Sequence, residues 1–122
     1  MKRKRPTLGW SNISGPLASF EIHSVYDIVD VIRKRPEMFL GSRTLTGLHH
    51  FINGFRLAAD SVGIQIQDGE PPFRSFHQWI ETRLDGGPSD GWLQTLLEAM
   101  RDEESAYERF LLEVDEFRRL GG

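Results

Sequence analysis

Four histidines, at positions 23, 49, 50 and 77, are the side chains best suited to hold a metal or move a proton near neutral pH. Their spacing works against both roles. His49 and His50 are neighbours, so on a helix they point about 100° apart and do not chelate one ion as an i, i+4 pair would. His23 and His77 lie far off in sequence, Cys is absent, and no His-Glu-x-x-His spacing occurs. No metal and no cofactor is therefore expected. The adjacent pair is expected to be one partly buried His with a hydrogen-bond partner and one surface His. Ser, His and Asp all occur, but without the Gly-x-Ser-x-Gly elbow of a nucleophilic enzyme. Carboxylates are dense between 102 and 116, where Glu104, Glu108 and Asp115 fall at helical spacing on a solvated face. Asp68-Gly-Glu and Asp85-Gly-Gly-Pro are turn signals, and neither leads into the Lys-Ser/Thr helix of a phosphate loop. No catalytic residue is assigned.

The one stretch with a recognisable pattern is Arg33-Lys34-Arg35-Pro36-Glu37-Met38-Phe39-Leu40-Gly41, followed by Gly47-Leu48-His49-His50. Residues 29–50 resemble the N-terminal motif of the DNA gyrase B and topoisomerase IV ATPase subunits. Those proteins carry an apolar helix, then Arg-Lys-Arg-Pro-Gly-Met-Tyr-Ile-Gly, a short turn, and Gly-Leu-His-His opening a helix. The match covers about a quarter of the chain. The resemblance places a general-base Glu four residues after the second His and a magnesium-holding Asn four further on. Here those positions are Gly54 and Ala58, and the family's Gly before Met is Glu37. The family's adenine-site motif, Asp-x-Gly-x-Gly, has no counterpart after residue 60. Without a carboxylate to orient water and a ligand for the metal, ATP hydrolysis has no physical basis. The motif then implies either a shared helical corner or a mimic or modulator of type II topoisomerases. On the second reading Arg33, Lys34, Arg35 and Phe39 form an exposed motif face.

Charge is distributed unevenly. Residues 1–43 carry eight Lys/Arg against four acids, whereas residues 85–122 carry four Arg against ten acids. Such polarity steers association with a charged partner. In size, absence of Cys and an acidic helical C-terminal half, the chain is similar to small bacterial immunity proteins that neutralise a cognate secreted toxin. That similarity implies a non-enzymatic protein that occludes a protein partner, with an acidic face for encounter and an aromatic anchor for affinity. The candidate contacts are Glu103, Glu104, Glu108, Glu113, Asp115, Glu116 and Trp92. A third reading, nucleic-acid binding through residues 2–5 and 33–35, is opposed by the net charge of −3, because phosphate neutralisation dominates such affinity. No apolar run approaches the roughly 18 residues of a membrane helix. The basic N-terminus is not followed by the apolar segment of a signal peptide. A cytoplasmic protein is expected.

Those residues must be positioned by helices. Residues 1–20, broken by Pro6, Gly9, Gly15 and Pro16, read as a flexible arm, and 21–122 as a single helical domain. Ser24 is placed to cap a helix over 25–34 with the stripe Val25, Ile28, Val29, Ile32, which Pro36 should stop. Met38-Phe39-Leu40 reads as a short extended segment ended by Gly41. Thr44 should cap a helix over 45–62 with Gly63 beyond its end; Gly47 and Gly54 either weaken it, by about 1 kcal/mol each relative to Ala, or permit close packing. Residues 64–67 alternate briefly. Further helices are expected over 73–84, 91–101 and from Asp102 to Gly121, the last with the stripe Tyr107, Phe110, Leu111, Val114, Phe117. The expected fold is mainly α, a compact bundle of about five helices with at most one short β-hairpin.

Overall fold

The computed structural model describes residues 21–86 and 91–121. The arm at 1–20 lies outside the described residues, as do positions 87–90 of the expected break. The described chain is mainly helical: α1 Val25–Lys34, α2 Pro36–Leu40, α3 Leu45–Ser61, a 3₁₀ turn Phe73–Ser75, α4 Phe76–Leu84, α5 Gly91–Met100 and α6 Glu103–Leu120.

α1 begins in a full capping box. The Ser24 hydroxyl accepts from the Asp27 N–H at 3.3 Å, and the Asp27 carboxylate accepts from the Ser24 N–H at 3.0 Å. Val25, Tyr26, Ile28, Val29, Val31 and Ile32 are all buried, so α1 is a central rod of the bundle. The helix stops at Arg35, as the following proline requires.

The expectation of an extended Met38-Phe39-Leu40 is corrected. These residues form the last turn of α2, with Pro36 in its first turn. Proline disfavours helix in the residue before it, but its own fixed φ and missing N–H suit a helix start. Gly41, at φ +81°, then ends the turn, and its N–H reaches the Glu37 carbonyl at 2.9 Å.

Thr44 caps α3 through the Gly47 N–H at 3.1 Å. A Cβ at Gly47 would lie 2.6 Å from that hydroxyl, so the glycine makes room for the cap. The packing role expected of Gly54 is corrected, since a Cβ there would meet nothing within 4 Å. The bundle forms without a hairpin among the described residues. Among the described residues there is no strand, only one parallel bridge in which the Val25 N–H meets the Gln67 carbonyl and the Gln67 N–H meets the His23 carbonyl.

The core between α4, α5 and α6 is aromatic. Phe76 lies 5.5 Å from Phe110 and 5.4 Å from Phe117, both edge-on, and stacks on Phe73 at 5.6 Å. Edge-to-face pairs of this kind each add about 0.5–1.5 kcal/mol beyond the area they bury. α6 starts at an Asp102 cap and ends at Gly121 in the left-handed conformation. Its expected stripe is buried at Tyr107, Phe110, Val114 and Phe117 and half-buried at Leu111.

Candidate functional site

The six acids expected to form one partner-binding face of α6 do not behave alike. Glu113 is buried, and its carboxylate accepts from Arg83 Nε and Arg109 Nε, each at 2.7 Å. It is a tie between α4 and α6, not a surface contact, because a charge removed from water must be paired. Glu103 is also occupied: it accepts from the Thr46 N–H at 2.8 Å and the Thr46 hydroxyl at 2.6 Å. Those bonds hold its pKa below the usual carboxylate range. Glu116 pairs with Arg119 one turn on.

Asp115 joins the two sequence-derived faces to each other. Its oxygens receive Arg33 Nη1 at 3.1 Å and Nη2 at 2.9 Å, a bidentate pair between α1 and α6. Arg33 is thus not part of an open basic cluster. Phe39 is likewise half-buried, edge-on to Phe51 at 5.8 Å. The expected exposed motif face is therefore corrected. Lys34 and Arg35 are exposed, whereas Arg33 and Phe39 are engaged inside the fold.

A narrower row remains on the outer face of α6. Glu104 and Glu108 are exposed, Asp115 is exposed beyond its ion pair, and Leu112 between them is 67% exposed. Arg43 approaches Glu108 at 3.7 Å and Glu37 at 3.0 Å, both in exposed pairs worth little in water. Trp92 is not the open anchor expected for this face. It is half-buried, with its ring centroid 4.8 Å from Phe110 and 5.1 Å from His49.

The gyrase-like stretch folds into a corner, α1–α2–α3, with the two histidines near the start of α3. His49 is half-buried against Trp92 with Nε2 3.5 Å from the Asn53 amide, and His50 is exposed. Burial, and next to it the neighbouring His50, holds the His49 pKa below the ordinary imidazole value. Gly54 and Ala58, where the resemblance would place base and metal ligand, are both exposed on α3.

One grouping escaped sequence reasoning. His49, Asn53 and Arg56 of α3, Arg74 of the 3₁₀ turn, His77 of α4 and Trp92 of α5 line one open cleft of ≈370 Å³. The residues were individually visible, but they come from four elements spread over 44 positions. Local spacing hints only at proximity within each segment, His49 with Asn53 at i, i+4, and Asn53 with Arg56 and Arg74 with His77 at i, i+3.

No family model, curated protein or solved structure matches the chain.

Proposed function

We propose that this chain is a non-enzymatic binding protein of the immunity type, docking a basic protein partner on the outer face of α6 and acting by occlusion. The observation that carries the reading is the exposed apolar side chain of Leu112 set beside the exposed carboxylates Glu104 and Glu108 on one long helix. An apolar centre supplies affinity and a charged rim supplies rate and choice of partner. The helix is tied to its neighbours by Glu103 to Thr46, Glu113 to Arg83, Asp115 to Arg33, and Arg118 to Asp30 at 3.0 Å. A pre-organised face loses less entropy on binding. Purification from the native host should recover a stable one-to-one complex with a protein encoded beside this chain. Recovery of no specific partner would remove the reading.

A second reading, modulation of a type II topoisomerase, is favoured by one observation. Lys34, Arg35 and Met38 of the gyrase-like corner are exposed together with the turn they flank. Gyrase supercoiling left unchanged by excess protein would exclude it.

A further inference from the structure

The cleft between α3, the 3₁₀ turn, α4 and α5 shares no lining residue with the outer face of α6, and what it binds is a separate question from the protein partner. Its ≈370 Å³ falls within the roughly 300–1,000 Å³ of small-molecule sites. The lining divides by chemistry. Ile52, Phe73 and Trp92 supply apolar surface, while Arg56 and Arg74 supply donors. No carboxylate lines it among the described residues.

Asp68 is the counter-charge of both guanidiniums, 3.5 Å from Arg56 and 3.4 Å from Arg74. It is already committed, because its Oδ2 also accepts the Arg74 backbone N–H at 2.9 Å. One carboxylate shared by two guanidiniums leaves one positive charge, and each guanidinium has five N–H donors to place. His77 Nδ1 lies 2.8 Å from the Arg74 carbonyl, which can only accept, so the proton of the neutral ring sits on Nδ1. Its Nε2 in that tautomer is an acceptor and donates nothing to the cleft. We propose that this cleft binds a small anion carried on a flat ring, a carboxylate or a phosphate monoester, with its charge between Arg56 and Arg74 and its ring against Trp92. His49, kept neutral by burial, and Asn53 meet the uncharged part of the ligand.

The test is a titration of the full chain, isotopically labelled for NMR, with phenyl phosphate and with benzoate. Inorganic phosphate and benzyl alcohol serve as the two half-ligands. The expected result is a saturable shift of the Trp92 indole N–H with one or both ring anions, at least about tenfold tighter than with either half-ligand. Whichever ring anion saturates identifies the head group. Arg74→Ala, at a side chain 79% exposed, should weaken binding by about tenfold without lowering Tm, and Arg74→Lys should restore part of it. Arg56→Ala provides the same comparison at the second guanidinium. The proposal is overturned by no saturable shift up to about 10 mM of either ring anion, a very weak limit for a site of this size. It is equally overturned if benzyl alcohol binds as tightly as the anions, or if both arginine variants bind like the parent chain.

Discussion

Gly54 stands where a gyrase-type corner would carry its general base, and a side chain there would point into open space. Glycine inside an exposed helix costs about 0.5–1 kcal/mol relative to alanine. Gly54→Ala should therefore stabilise the fold by about that amount, seen as a higher Tm in thermal denaturation. Gly54→Glu combined with Ala58→Asn should leave ATP turnover at the blank, because both positions are exposed on α3 and neither lines a cleft among the described residues. Tyr26 makes the opposite case, a side chain enclosed on every side. Its hydroxyl donates to the buried Pro71 carbonyl, Arg118 lies 4.7 Å over its ring, and a Cβ on Gly69 would come within 2.5 Å of it. Burial pushes its pKa up to about 12, with Arg118 pulling the other way. An unfolded tyrosine ionises near pH 10. The Tyr26 contribution is thus complete below about pH 10 and is lost as pH rises toward 12. Tyr26→Phe should flatten the alkaline loss of stability in that window. It should also cost about 1–3 kcal/mol at neutral pH, because the Pro71 carbonyl is left unpaired.

Among the elements, α6 depends most on distant partners. Glu113 is the clearest instance, since two arginines from α4 and α6 converge on one buried carboxylate. Arg83 also lies 4.6 Å over the Trp79 ring, so the same guanidinium braces the aromatic core. Glu113→Ala should destabilise by about 3 kcal/mol, because two guanidiniums lose their counter-charge and a buried space opens. Chemical denaturation would measure it, and a loss under about 1 kcal/mol would show that solvent already serves those arginines. The helix starts were legible beforehand because caps are local. Ser24, Thr44 and Asp102 each accept a backbone N–H three residues on. α2 is less legible, because proline stops the helix before it and its ring geometry also opens the next one.

At the scale of the whole molecule, ion pairs among the described residues join the basic and acidic segments. Arg33 meets Asp115 and Arg118 meets Asp30, so α1 and α6 exchange their charges across the contact between them. The surplus left at Glu104 and Glu108 is what a partner would sense. Glu104→Lys with Glu108→Lys should slow association with a basic partner by about tenfold or more and reverse its salt dependence, with little change in Tm. Leu112→Asp should raise the dissociation rate instead. Stopped-flow kinetics on the recovered complex separates the two effects.

By itself the sequence determined what can be read within about four residues: apolar stripes, caps, the break at Gly41, the glycine end of α6, and hence a mainly helical chain. It also determined that positions 54 and 58 carry neither acid nor amide. Only the tertiary structure decided which charges remain available. Glu113 finds Arg83 across 30 positions and Asp115 finds Arg33 across 82, and nothing in either local stretch marks those acids as different from Glu108. The cleft is of the same kind, since its arginines, histidines and indole meet only when four separate elements pack. The reason is one of range. Backbone hydrogen bonding and helical periodicity act over one turn, whereas pairing of charges and enclosure of space depend on which faces the core brings together.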